Sequence, residues 1–194
     1  MEEQKPLSHK KERIASPDAG LFEWAETIVV SLVFILLFFI FILHTNTVVG
    51  GSMNPTLTEG DRLFVNNLAY DPQPGDIVIV AKKTFRPKPI VKRVIAVGGQ
   101  TVDIDFETHE VFVDGVKLDE PYINEPTARS YDVEFPLTVP EGSVFVMGDN
   151  RNASDDSRDS ALGCVDRRYI QGRVVLRYWP FRSFGIVRRE AIGG

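Results

Sequence analysis

The stretch "PIVKRVIAVGG", residues 89–99, decides the fold. It sets Ile90 to Val97 between a proline and a Gly-Gly pair. A short, β-branched, mostly apolar run between turn residues reads as a strand. Working outward, the same kind of run recurs. Upstream, "RLFVN" (62–66) and "DIVIV" (76–80) lie either side of the turn cluster "DPQPGD" (71–76). The second run is apolar on both faces, which predicts a central strand. Downstream come "TVDID" (101–105) and "EVFVDGVKL" (110–118). The second of these folds back at Asp114-Gly115, a favoured hairpin pair. "EGSVFVMGDN" (141–150) runs into a polar loop, and "GRVVLRYWPF" (172–181) is the last strong strand. "DSRDSALG" (156–163) and "DRRYI" (166–170) read as helical turns, and no 20–50-residue repeat appears. Many short strands with Gly/Pro turns predict a mainly β domain, an antiparallel sheet of barrel-like or sandwich form.

The chain has 194 residues and a formal charge of −5. That suits one domain of moderate size plus a short extra segment, and it gives no reason to expect nucleic acid as a partner. Cys164 is the only cysteine, so no intrachain disulfide can form. A lone cysteine of this kind reads as a small buried hydrophobe.

The extra segment lies at the N-terminus. "IVVSLVFILLFFIFIL", Ile28 to Leu43, has no charged residue, and no Asp, Glu, Lys or Arg occurs between Glu26 and Glu59. A bilayer core of about 30 Å needs roughly 20 helical residues, which residues 25–47 supply. A buried core helix would leave a polar stripe, and none is visible. The run is too long for a cleaved h-region, and no A-x-A site follows it. Lys5, Lys10, Lys11 and Arg13 precede it, and no Lys or Arg follows until Arg62. The positive-inside rule then predicts a cytoplasmic tail (1–24), a single-pass anchor (25–47) and an outer-face domain (48–194) in the cell membrane.

Directly beyond the anchor stands "GGSMNPTL", Gly50 to Leu57. Glycines let another chain approach closely, and Pro55 fixes its own φ and biases Asn54 toward an extended conformation. The turn suits a presented Ser52 whose backbone N–H faces an oxyanion, and it equally suits a plain linker. A serine nucleophile needs a base. Among the histidines, His9 falls in the tail, His44 at the membrane edge and His109 in a hairpin. A lysine serves if burial keeps it neutral. By strand alternation Lys92 shares a face with Ile90, Val94 and Ala96, and Arg93 shares the other with Val91, Ile95 and Val97. Arginine stays protonated and is excluded as the base. Which face is buried is open at this point, and a solvated Lys92 is the plain alternative. "GDNRNASDDSRDS", Gly148 to Ser160, is either a solvated turn or a holder of catalytic groups. It is no EF-hand: counted from Asn150, the sixth and twelfth places hold Asp155 and Ala161 instead of Gly and Glu.

Taken in order, "GSMNPTL", "GDIVIV", "VKRVIAVGG" and "GDNRNASDDSR" behind an N-terminal anchor resemble the bacterial type I signal peptidases, or leader peptidases. The resemblance covers the anchor and most of the outer domain. It implies a mainly antiparallel β fold and a Ser–Lys dyad, with Ser52 as nucleophile and Lys92 as general base. It implies that Ser154 and Asp156 position the lysine and its surroundings, that Arg158 supports their loop through ionic contacts, and that Asp149 belongs to the same motif. It implies no metal and no other cofactor. The expected partners are secretory pre-proteins, cleaved after a small residue within A-x-A, and membrane lipid. Two departures stand out. One anchor replaces the two of familiar Gram-negative enzymes, as is common in Gram-positive members. Gly50 stands where those enzymes often carry a serine that helps bind the oxyanion, which leaves the Ser52 N–H as the obvious donor. The short interval between Gly99 and Gly148 implies a reduced secondary β lobe within about 100–147. Two other classes fit parts of the pattern: a Ser–Lys self-cleaving regulator of the SOS-repressor type, whose DNA-binding domain is absent here, and a non-catalytic tethered β domain. The "YWPF" run (178–181) and Phe184 read either as headgroup contacts or as core.

Overall fold

The structure, a computed structural model, describes residues 17–68 and 70–192. The chain divides into two compact units, residues 1–40 and 41–194. The first is built on helix α1 (Pro17–Ile42). Its start suits proline, whose missing N–H falls where a helix has no internal partner for it. The side chains described in α1 from Phe22 to Leu36 are all exposed, among them Phe22, Trp24 and Ile28–Val30. Among the described residues no helix is long and apolar enough to cross a membrane. The side chains of residues 37–43, where the apolar run continues, and the basic residues of the tail lie outside the described residues.

The second unit is mainly β. Its strands are β1 (Leu43–Thr47), β2 (Arg62–Asn66), β3 (Ile77–Val80), β4 (Ile90–Val97), β5 (Thr101–Asp105), β6 (Glu110–Val113), β7 (Val116–Lys117), β8 (Leu137–Thr138), β9 (Ser143–Met147), β10 (Val165–Asp166), β11 (Ile170–Trp179) and β12 (Gly185–Ile186). An eight-stranded sheet runs β1-β2-β11-β3-β4-β9-β10, with β12 paired to β11. A smaller sheet runs β7-β6-β5-β8. All the pairings are antiparallel. The large sheet is an open path with β1 and β10 at its ends, so it curls without closing into a barrel. The turn expected at "DRRYI" is a short 3₁₀ helix, Arg167–Tyr169.

β1 corrects the expected anchor boundary. Leu43–Thr47 pairs with β2 from Leu43↔Asn66 to Thr47↔Arg62 instead of extending the helix. "HTNT" is made of weak helix formers, and β-branched threonines fit a pleated edge.

β4 carries the second correction. Both its faces are buried, so the question of which face is inside has no single answer. Against β9 the register runs Arg93↔Met147 and Val94↔Val146, then skips to Ala96↔Phe145. The skipped residue is a bulge, which breaks period-2 alternation. Ala96 therefore does not share a face with Lys92 and Val94. It packs with Ile95 against the small sheet, beside Val102, Val111 and Phe145. Val97 returns to the side of Val94, Val78 and Val146. A third cluster gathers Met53, Leu57, Leu63, Val65, Ile77 and Val91 beneath the "GGSMNPTL" turn. Burying Met53 and Leu57 there contributes about 1.5–3 kcal/mol each.

Of the aromatic run, Tyr178 is half-buried and packs on the half-buried Phe64, with ring centroids 4.5 Å apart. Trp179, Phe181 and Phe184 remain exposed.

Candidate active site

The turn at Ser52 is held by apolar anchors below and hydrogen bonds around it. Gly50 takes a φ of 81°, a left-handed conformation that glycine adopts freely. Within the turn Asn54 N–H donates to Gly51 O at 3.1 Å, and Leu57 N–H donates to Met53 O at 3.0 Å. The neighbouring loop is fixed by Asp61, a buried carboxylate that accepts from Thr58 N–H at 2.9 Å and Arg177 Nη1 at 3.0 Å. Three bonds stitch the turn to the Gly148–Asn150 loop. Asn150 N–H donates to Ser52 O (3.0 Å), Asn150 Nδ2 to Gly51 O (3.1 Å) and Thr56 Oγ1 to Asp149 Oδ2 (2.5 Å).

This brings Ser52 to Lys92, forty residues on, with Nζ donating to Oγ at 2.8 Å. Lys92 is only 2% exposed, in the interior of β4. Burial pushes its ammonium down from the ordinary 10.5 to about 8, against an upward pull from the Asp156 carboxylate. With that value about a tenth of the amines are uncharged at pH 7 and about half at pH 8, and beside a hydroxyl an uncharged amine can accept a proton.

Arg93, next along β4, is fully enclosed. Its Nε and Nη2 donate to Asp149 at 2.8 and 2.6 Å, and its Nη1 donates to Gly75 O at 3.0 Å. Its guanidinium lies 4.0 Å over the Tyr122 ring. The loop after Asp149 is braced in the same way. Arg158 grips Asp156 through two bonds of 2.9 Å and donates to the backbone of Arg129 and Arg151. Burial pushes the Asp156 carboxyl up, but Arg158 and the Gly148 N–H outweigh it and hold the group below its ordinary range. Ser154 Oγ is buried in the same loop and adds to the downward pull on the Asp156 carboxyl. Gly148 explains the tight fit. A Cβ there would press into Ser154 Oγ and lie 2.5 Å from Ser52 O.

A cavity of about 170 Å³ opens over Ser52 and Lys92. Val48, Val49, Ile90 and Val91 give it an apolar side. Arg86 and Asp155, which form an ion pair, give it a charged side.

The structure thus brings Ser52, Lys92, Asp149, Ser154, Asp156 and Arg158 into one contiguous cluster. It leaves the other candidates outside the cavity. His44 lies exposed on β1 and His109 lies in the β5–β6 turn with a φ of 63°. Cys164 is half-buried against the small-sheet core, where burial pushes its thiol up. His9 lies outside the described residues. Sequence reasoning missed Thr56, Asn150 and the Arg86–Asp155 pair. Asn150 was in view inside the quoted motif, but nothing in a sequence shows which backbone carbonyl an amide will reach.

The family model and the curated relatives agree with one another. A family model described as Signal peptidase, peptidase S26, matches residues 21–179. The chain is 36% identical over 183 residues to signal peptidase I of Bacillus licheniformis, covering 89% of this chain and 96% of that protein. It is 37% identical over 192 residues to signal peptidase I of Bacillus amyloliquefaciens, covering 94% and 96%. It is 35% identical over 182 residues to signal peptidase IB of Staphylococcus aureus, covering 84% and 92%. A crystal structure of a signal peptidase I from Enterococcus faecalis is 31% identical, with a TM-score of 0.46, covering 54% of this chain and 97% of that one. The chain belongs to the signal peptidase family, peptidase S26.

Proposed function

We propose that this protein is a membrane-anchored serine endopeptidase that removes N-terminal signal peptides from exported pre-proteins with a Ser52–Lys92 dyad. The observation that carries the reading is the 2.8 Å contact between Ser52 Oγ and a buried Lys92 amine at the floor of one cavity. Neutral Lys92 takes the Ser52 proton as Oγ bonds to the carbonyl carbon before the scissile bond. The carbonyl π pair moves to oxygen, which the Ser52 N–H holds. As the tetrahedral species collapses, the C–N bond breaks and protonated Lys92 gives its proton to the leaving amine. A water then loses a proton to Lys92, attacks the ester and releases the acyl group while Ser52 regains its hydrogen. Valine walls around about 170 Å³ support a small residue before the cut. Asp149, Asp156, Arg158 and Ser154 act as positioning residues in this reading, and no metal or cofactor enters it.

The anchor reading rests on an α1 that carries no charge from Thr27 to Ile42 and whose described side chains are exposed, as suits lipid. Exposed Trp179, Phe181 and Phe184 suit contact with headgroups. Ser52 follows Leu43 by nine residues, roughly 30 Å of extended chain at most, so the site stays near the membrane that holds its substrate. In sealed cells, external protease should reach the domain after residue 50 and spare a tag at residue 1. The reverse pattern overturns the orientation.

The test of the chemistry is cleavage of a labelled pre-protein by the full-length enzyme and its folded Ser52→Ala, Lys92→Ala, Lys92→Arg and Ser52→Ala/Lys92→Ala variants. Each should fall at least about 10³-fold to a common floor, because members of one unit are interdependent. Activity in Lys92→Arg, or a double variant far below both singles, overturns the dyad.

A further inference from the structure

Ser52 has carbonyls on both sides, and one residue takes both. Asn150 donates its backbone N–H to Ser52 O at 3.0 Å and its side-chain Nδ2 to Gly51 O at 3.1 Å. The second bond has a geometric consequence. Gly51 C=O and Ser52 N–H belong to one planar trans peptide and point in opposite directions. Fixing the carbonyl therefore fixes the N–H. Among the described residues that N–H has no hydrogen-bond partner, and Gly51 and Ser52 both line the cavity. Within the turn the same Gly51 carbonyl accepts from Asn54 N–H at 3.1 Å. Gly50 and Gly51 have no side chains to add to that hold.

We infer that Asn150 is a positioning residue for oxyanion stabilisation: its side-chain amide clamps the Gly51–Ser52 peptide so that the Ser52 N–H faces the developing negative charge. This rests on the reading of Ser52 as nucleophile. Asn150 touches no reacting atom. A glycine pair before a nucleophile makes the turn possible, Asn54 N–H holds its peptide plane from within, and Asn150 adds a second hold from outside the turn. Preorganised donors matter because they need no reorientation as charge forms.

Two variants test it in the full chain. Asn150→Ala removes the amide. Asn150→Asp keeps the volume but has no hydrogen to donate at neutral pH, and it sets a carboxylate against Gly51 O. Both keep the backbone bond to Ser52 O, and thermal melting establishes that they are folded. With pre-protein, kcat should fall about 10- to 100-fold, less than the about 10²–10³ for loss of a donor outright. KM should change by less than about twofold, since the loss is confined to the transition state. The specific readout is a pair of probes: a small-residue peptide aldehyde and the matching peptide alcohol. Ser52 Oγ adds to the aldehyde carbon, the π pair moves to oxygen, and the Ser52 proton passes to Lys92. The alcohol cannot be attacked. Aldehyde affinity should fall in step with kcat, while alcohol affinity and the pH midpoint of cleavage stay at wild-type values. Equal loss for both probes means that Asn150 only shapes the pocket, and unchanged kcat means that it holds nothing of consequence. Either result overturns the inference. Wild-type-like cleavage by Ser52→Ala would instead overturn the nucleophile assignment, a separate failure.

Discussion

Arg93 and Asp149 are both fully buried and face each other through two hydrogen bonds, of 2.8 and 2.6 Å. The pair joins the strand that carries Lys92 to the loop that holds the Ser52 turn. Replacing both partners with apolar groups can be tolerated, but removing one strands a charge in the interior. Asp149→Ala should destabilise by about 3–5 kcal/mol, seen as a lower denaturant midpoint. A double Arg93→Met/Asp149→Leu variant should recover part of that loss. If Asp149→Ala unfolds at the wild-type midpoint, the pair has no structural role.

Lys92 links activity and stability to pH in one direction. Its pKa falls from 10.5 to about 8 on folding. Cleavage should rise with pH as the amine loses its proton, with a midpoint near 8. The sign for stability follows from proton counts. Between about 8 and 10.5 the unfolded chain binds more protons at this lysine than the folded one does, so stability rises with pH there. Below that window the burial penalty is fully present, about 3 kcal/mol at about 1.4 kcal/mol per tenfold. Lys92→Met should therefore be more stable than wild type at pH 7, and the difference should shrink by pH 10. A constant difference across that range contradicts the burial account.

The ion pair on the charged side of the cavity should tune the same midpoint. Arg86 lowers the Lys92 pKa and Asp155 raises it. Arg86→Ala should shift the pH profile of cleavage to higher pH, and Asp155→Asn to lower pH. Both groups are partly exposed, so each shift should be below about one pH unit and shrink in high salt. Shifts of the same sign contradict the electrostatic origin.

Gly148 is fixed by space. An added methyl would press on Ser154 Oγ and on the Ser52 carbonyl, one of which is backbone. Gly148→Ala should destabilise by about 1–3 kcal/mol and reduce cleavage by more than the melting change explains. Wild-type cleavage in this variant would show that the Ser52 turn tolerates displacement.

How far these relationships were legible in the sequence depends on their range. Ser52, Lys92 and the strands around them carry local signals: a Gly-Gly turn, an apolar run, a polar loop. The mainly β fold and the family followed from those signals in order. The bulge in β4 left no such mark. Ala96 sits in an unbroken apolar run, and only the strand opposite it sets which way it faces. The helix end was misjudged for a similar reason. Leu43–Thr47 is uncharged like the run before it, and its pairing with β2 is a contact across nearly twenty residues of chain. Asn150 and Thr56 act through bonds to distant backbone and carboxylate groups, which residue type alone does not announce.

The bulge in β4 has a consequence for how this fold can change over time. β4 and β9 are hydrogen-bonded neighbours, and the small sheet lies between them in sequence. A segment spliced between adjacent antiparallel strands is topologically dispensable, since a short hairpin turn would bridge the gap. The extra residue cancels that freedom. It brings Ala96 to the side of Ile95, toward the small sheet, so deleting the sheet would uncover both apolar side chains on the strand that bears Lys92. An accessory lobe that topology alone would permit to be removed is thereby bound to the reactive strand through Ile95 and Ala96.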